Sequence, residues 1–113
     1  MRHVGQHDNL TEPVFLILLS LKEAPRHGYG LLKNIEAMSG GRVRLSTGTL
    51  YGALRRLLDD AWIEPFETDD TSRDKRAYRI TALGGHALNA DFERLQDLTR
   101  IAGPRLRTLE AQS

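Results

Sequence analysis

The chain contains no cysteine. Disulfides and thiolate-bound metals are therefore excluded, and a reducing compartment is the natural setting. Aromatic residues are sparse: one Trp, three Tyr and three Phe among 113 residues. Long apolar runs are missing. The longest, from Val14 to Leu19, falls far short of the roughly 20 residues that cross a bilayer, so no membrane span is expected. The opening MRHVGQHDN lacks the apolar stretch of a signal peptide, and a cytoplasmic location is the expectation. No charge of one sign predominates: 16 Lys and Arg face 15 Asp and Glu, for a net charge of +1. The constellations of an enzyme are also lacking. The four histidines are dispersed and no motif joins them to a serine or an acid, while Asp59-Asp60 and Asp69-Asp70 read as solvated charge. His3 and His7 fall in a polar arm, residues 1–9, without helix signals, and read as tail rather than a metal pair. Neither an enzyme nor a metal or other cofactor is expected.

What is present suits one domain, with 40% hydrophobic and 27% charged residues. A core this small gains from a partner subunit. Charge is distributed unevenly. Arg42, Arg44, Arg55 and Arg56 lie between Gly40 and Leu58 without a single acid, and Arg73, Lys75, Arg76 and Arg79 form a second basic cluster diluted by Asp74. Such local clustering matters more for partners than the sum does.

The apolar pattern predicts four helices and a hairpin. The first helix spans Thr11 to Lys22, capped by Asn9 or Thr11 and ended by Glu23-Ala24-Pro25. Its run Val14 to Leu19 is apolar nearly all round and must be covered on more than one side. A second helix runs from about Tyr29 to Met38, its start weakened by Gly28 and Gly30, and stops at Gly40-Gly41. Arg42 to Leu45 alternates and suggests a short strand. Trp62 to Thr68 and Ala77 to Thr81 read as strands joined by the polar tip Asp69 to Asp74, with Pro65 placing the first at an edge or a bulge. A last helix starts at a Thr81 cap, runs to about Ile101 and ends at Gly103-Pro104.

Between them lies the most telling stretch, Ser46 to Ile63, with Ser46 or Thr47 as the cap of a third helix. Leu50, Leu54, Leu57 and Leu58 share one face. At about 100° per residue the opposite face centres on Gly48 and Gly52, bordered by Tyr51 and Arg55 on one side and by Thr49 and Arg56 on the other. Two glycines cost such a helix roughly 1 kcal/mol each relative to alanine. A solvated surface helix and a helix laid against DNA weigh about equally on this stretch alone. The order of elements is that of a winged helix-turn-helix: a mainly α fold with a β-hairpin wing, followed by a C-terminal dimerisation helix. The expected layout is an arm at 1–9, a winged helix at 10–81, a dimerisation helix at 82–102 and a tail at 103–113. Val14, Phe15 and Leu18 of the first helix, with Leu88, Phe92, Leu95 and Leu98 of the last, are assigned to a homodimer interface.

The chain resembles the PadR family of bacterial transcriptional regulators over about residues 10–101. The carriers are His27-Gly28-Tyr29-Gly30, the run Ser46 to Leu57 read as STGTLYGALRRL, and Arg73 to Thr81 read as RDKRAYRIT. The resemblance implies a dimeric winged-helix protein whose third helix enters the major groove and whose long C-terminal helix supplies most of the dimer contact. It also implies the shorter subgroup with a single C-terminal helix, often repressors released by small molecules or stress signals. Gly30 stands where the family usually has an acid, Gly52 replaces a common proline, and Ala61-Trp62 replaces a usual glycine and a small or apolar residue. The last helix has no tryptophan, so the ligand-stacking mode of some multidrug-sensing relatives does not carry over.

On a double-stranded operator, Thr47, Thr49 and Tyr51 are the expected donors, with Ser46 and Gly48 at the helix start. Arg55 reaches a phosphate or a guanine edge, Tyr29 touches the backbone across the groove, and Arg73, Lys75 and Arg76 lie along phosphates or in the adjacent minor groove. Tyr51 has half-buried packing as its other reading. Tyr78 and Trp62 read as core, His27 as a helix cap, His86 as an exposed helical residue, and Arg42 and Arg44 as solvated. A small-molecule effector pocket, if present, would involve Phe15, Leu19, Phe92 and Leu95. The competing function is a winged helix that binds protein and not DNA.

Overall fold

The structure, a computed structural model, describes residues 9–67 and 76–112. The elements follow in order as α1 (Glu12–Glu23), β1 (Arg26–His27), α2 (Gly28–Met38), α3 (Thr47–Asp59), β2 (Ile63–Phe66), β3 (Ala77–Ile80) and α4 (Ala82–Gln112). The hairpin strands pair antiparallel, with Ile63 opposite Ile80 and Phe66 opposite Ala77. β1 adds to the other side of β3, giving the order β1-β3-β2. This two-residue strand is too short for alternation to reveal it, and sequence reading missed it. Pro65 lies on the edge strand β2, where its missing N–H leaves no gap in a central ladder. Arg42 to Leu45 forms no strand. Its arginines are drawn off to the helices: Arg42 bonds Glu12 of α1, and Arg44 lies 3.3 Å from Glu36 of α2. The Arg42 guanidinium holds the Glu12 carboxyl below its usual range. The arm at 1–8 and the hairpin tip lie outside the described residues.

Three of the four helix starts are capped by a side-chain hydroxyl. Thr11 caps α1, accepting from the Val14 N–H at 3.3 Å. Ser46 caps α3, and Thr81 caps α4 by accepting from the Gly84 N–H at 3.1 Å. The Thr81 hydroxyl also donates to the Ala61 carbonyl at 2.7 Å, which ties the end of α3 to the start of α4. His27 occupies the cap position of α2, but its side chain makes no capping bond, contrary to expectation. Its Nε2 is buried without a hydrogen-bond partner among the described residues.

The helix ends of α2 and α3 share one device. After α2, the Gly40 N–H bonds the Ala37 carbonyl and the Gly41 N–H bonds the Glu36 carbonyl, with Gly40 at φ 64°. After α3, the Ala61 N–H bonds the Leu58 carbonyl and the Trp62 N–H bonds the Leu57 carbonyl, with Ala61 at φ 62°. The same left-handed turn is thus made once with glycine and once with alanine, whose Cβ strains it.

The core gathers Ile17, Leu18 and Leu21 of α1, Leu31 and Ile35 of α2, Leu50, Leu54 and Leu57 of α3, and Trp62, Ile63, Tyr78 and Leu88. α1 lies among α2, α4 and β3, so its all-round apolar surface is largely covered within the subunit. Leu18 is wholly enclosed and Leu88 is 5% exposed. Both were assigned to a dimer interface; neither has surface left to give one. Val14 and Phe15 pack partly against the same core.

α4 runs on through Gly103 and Pro104 to Gln112, where the sequence had suggested a stop and a tail. Pro104 removes one helix N–H. Around it, Arg105 Nη1 donates to the Ile101 carbonyl at 2.8 Å and the Thr108 hydroxyl to the Pro104 carbonyl at 3.0 Å. At about 1.5 Å per residue, the 31 residues of α4 span roughly 46 Å, most of the molecule's 61 Å long axis. Only Gly84, Leu88 and Asp91 of α4 are buried. Phe92, Leu95, Leu98, Ile101, Leu106 and Leu109 are exposed. Among the described residues no helix is long and apolar enough to cross a membrane.

Two substitutions of opposite sign test these joints. Ala61→Gly relieves the left-handed alanine and is expected to raise stability by about 0.5–1 kcal/mol. At Gly84 an added Cβ would lie 2.1 Å from the Trp62 carbonyl oxygen; Gly84→Ala therefore forces backbone apart and should cost about 1–3 kcal/mol. Urea unfolding at matched protein concentration reads both.

Candidate nucleic-acid interface

Burial of the leucine face fixes the rotation of α3. Leu50, Ala53, Leu54 and Leu57 point inward, which leaves Thr47, Gly48, Thr49, Tyr51, Arg55 and Arg56 exposed. A Cβ added at Gly48 or Gly52 meets nothing within 4 Å. The fold itself has no need of either glycine. The helix forgoes stability there with no packing return inside the subunit.

The start of α3 divides its hydroxyls between two tasks. Ser46 Oγ accepts from the Thr49 N–H at 3.1 Å and donates to Thr49 Oγ1 at 3.0 Å. The single Ser46 proton is thereby committed to the helix start and is not available as a donor to a ligand. The Thr49 hydroxyl keeps its own proton, and Thr47 is exposed beside it.

Tyr51 is both packed and presented, at 42% exposure. Its ring lies against Gly28, where an added Cβ would sit 2.2 Å from the phenol oxygen and 2.8 Å from Cζ. The glycine of the His27-Gly28-Tyr29 motif and the tyrosine of Gly48-Thr49-Leu50-Tyr51 are therefore two halves of one contact joining α2 to α3. No single-sequence signal links them; only a contact between distant positions reveals it. The neighbouring Tyr78 is 5% exposed. Burial pushes its phenol above the usual tyrosine range, the Tyr51 phenol adds to the effect, and Arg76 opposes it.

The basic residues fall into two groups. Arg26, Arg42, Arg44, Arg79, Arg94 and Arg100 are each tied to a carboxylate: Glu23, Glu12, Glu36, Glu64, Asp91 and Asp97. Arg79 and Glu64 face each other across the hairpin at 2.6 Å, with Arg79 also over the Phe66 ring. Arg55 and Arg56 on α3 and Arg76 at the foot of the wing are exposed. Among the described residues these three have no carboxylate partner. Tyr29 on α2 is 69% exposed, and Lys33 Nζ lies 5.7 Å from its ring centroid. Lys33 was not singled out from sequence, where it reads as one more surface lysine. Arg73 and Lys75 lie outside the described residues.

Of the expected effector residues, Phe15 and Leu19 pack partly against the core, while Phe92 and Leu95 stand exposed on α4. A hollow of about 590 Å³ lies elsewhere, lined by Pro104, Arg105, Thr108, Leu109 and Gln112.

Comparison with known proteins bears on this face. A protein of transposon Tn4556 from Streptomyces fradiae is 41% identical over 88 residues, which span 78% of this chain and 23% of that protein. The transcriptional regulator Rv3488 of Mycobacterium tuberculosis is 34% identical over 79 residues, 70% of this chain and 61% of that one. The chain thus spans less than two thirds of either relative's length. Among solved structures, a PadR family transcriptional regulator from Eggerthella lenta superimposes with a TM-score of 0.67 at 27% identity, covering 84% of this chain and 81% of its own. The profile described as "Transcriptional regulator PadR-like family" matches residues 17–90. That span holds the three-helix core, the hairpin and the buried first turns of α4, and the chain belongs to this family of transcriptional regulators, which are not enzymes.

Proposed function

We propose that this protein binds double-stranded DNA as a homodimer and represses transcription from a pseudo-palindromic operator. The observation that carries the reading is the outer face of α3: a bare glycine line, flanked by exposed hydroxyls and by guanidiniums that no carboxylate among the described residues neutralises. A face kept open and cationic suits a polyanion whose groove admits a helix. Thr47, Thr49 and Tyr51 donate near the start of α3, with the backbone of Gly48 and its neighbours approaching closely. Arg55 reaches a phosphate or a guanine edge. Tyr29 and Arg76, with Arg73 and Lys75 of the wing, grip the flanking backbone. A protein-binding winged helix has no need of so many unpaired cations on this face.

The dimer reading rests on α4. Phe92, Leu95, Thr99, Ala102, Leu106 and Leu109 recur at alternating steps of three and four, a seam that continues past Pro104. From Phe92 onward the seam's large residues are uncovered, Leu95 at 39% exposure and Leu109 at 60%. A second copy, carrying the same seam, covers it. Half-sites then lie about 34–36 Å apart, one helical turn of DNA. Release by a small molecule requires a ligand that favours one dimer geometry over the other; Phe15, Leu19, Phe92 and Leu95 are where an apolar ligand would enter between subunits.

Affinity is measured on a duplex that the protein selects from a randomised pool. Arg55→Ala should weaken binding by about 1–3 kcal/mol if it reads a base, or flatten the salt slope by about one if it holds a phosphate. Tyr51→Ala should also weaken binding, while Arg42→Ala, which removes a guanidinium already tied to Glu12, should leave affinity unchanged. Equal binding by parent, Arg55→Ala and Tyr51→Ala at all salt concentrations would refute the α3 assignment. Separately, Leu95→Glu or Leu106→Glu should convert the dimer to a folded monomer in sedimentation equilibrium; a persistent dimer in both would place the interface elsewhere.

A further inference from the structure

The outer ridge of α2 carries Tyr29, Lys33 and Ala37, one turn apart and all exposed. The two flanks of this helix are anchored to different neighbours. Asn34 donates to Ser20 Oγ of α1 at 2.6 Å, whereas Gly28 receives the Tyr51 ring of α3. At about 100° per residue, Tyr29 falls on the flank nearer Tyr51 and away from Asn34. The exposed Tyr29 thus directly follows the residue that packs against α3.

Lys33 has an obvious acidic neighbour one turn on, Glu36, but that carboxylate is taken by Arg44 at 3.3 Å. Among the described residues Lys33 makes no ion pair. Its ammonium lies instead 5.7 Å from the Tyr29 ring centroid. Helical side chains lean towards the N-terminus, and an aromatic face attracts a cation. Together these draw the Lys33 charge back along α2 towards the end that meets α3.

We propose that Tyr29 and Lys33 act as one phosphate-binding unit, in which the ring holds the ammonium over the DNA strand that borders the groove occupied by α3. The inference rests on the DNA-binding reading and adds Lys33, with Tyr29 as its positioning residue. A cation held at the point of contact has less freedom to lose on binding than a freely swinging lysine, so the ring contributes beyond its own hydroxyl.

The test uses the full chain and a duplex it selects from a randomised pool, with affinity followed by fluorescence anisotropy from low to high salt. Lys33→Gln is expected to reduce the slope of log K against log salt by about 0.9, the signature of one lost phosphate contact. Lys22→Gln, at the exposed end of α1, should leave the slope alone. The Lys33→Gln loss should be undiminished in a Tyr29→Phe background, which keeps the ring, and clearly smaller in a Tyr29→Leu background, which does not. Thermal unfolding of each variant confirms that the fold is intact. An unchanged slope in Lys33→Gln would overturn the proposal while Arg55→Ala still reports on the DNA reading. An equal loss in all three backgrounds would make Lys33 a lone cation and overturn the unit. Failure of the parent chain to select any duplex would overturn both readings together.

Discussion

The orientation of α3 depends on the burial of Leu50, Leu54 and Leu57 in the subunit core. Once these side chains turn inward, helical geometry leaves no choice about what turns outward: the glycines, hydroxyls and arginines of the same helix. The contact of Tyr51 with Gly28 then fixes the neighbouring helix against it, the helix that carries the exposed Tyr29 and Lys33. At the other end, the left-handed turn at Ala61 and the Thr81 hydroxyl carry the chain into the wing and into α4. One packing decision thus places the hairpin, the second helix and the protruding last helix relative to one outward surface.

Electrostatics sort the same surface a second time. Six arginines away from α3 are neutralised locally, two of them by acids three residues away on their own helix, Arg94 by Asp91 and Arg100 by Asp97. An exposed pair such as Arg100 with Asp97 adds little stability. The consequence of the pairs is where they leave charge uncompensated. Arg55, Arg56 and Arg76 remain available among the described residues, although the chain as a whole carries a net charge of only +1. The overall balance of charge concealed this arrangement, and only the pairing reveals it.

The hairpin and the helices were legible because each rests on local signals: leucine spacing in α3, Gly40-Gly41 after α2, Tyr78 and Ile80 alternating with Arg79 in β3. What escaped depends on distant partners. β1 has only Arg26 and His27 and exists because β3 is there to receive it. The Gly28–Tyr51 contact joins two motifs that sequence treats as separate. Leu18 and Leu88 looked like spare apolar surface, yet α1 is packed on enough sides to absorb both. Gly103-Pro104 has the chemistry of a helix stop, but the strong helix formers beyond it and the bonds from Arg105 and Thr108 sustain α4. Exposure follows the same division: the outward position of the residues on α3 could be read from periodicity, whereas the pairing of Lys33 with the Tyr29 ring, with Glu36 diverted to Arg44, could not.

The central claim is that the bare line on α3 is kept for a ligand's close approach and serves nothing within the fold. Gly52→Leu tests it directly, because an added Cβ meets nothing within 4 Å in the subunit and leucine replaces a poor helix former by a good one. Unfolding and duplex affinity are measured on the same preparation. The account predicts a protein that is more stable by about 0.5–1 kcal/mol and yet binds its selected duplex at least about tenfold more weakly, a loss of roughly 1.4 kcal/mol. A variant that gains the stability and binds DNA as tightly as the parent would contradict it.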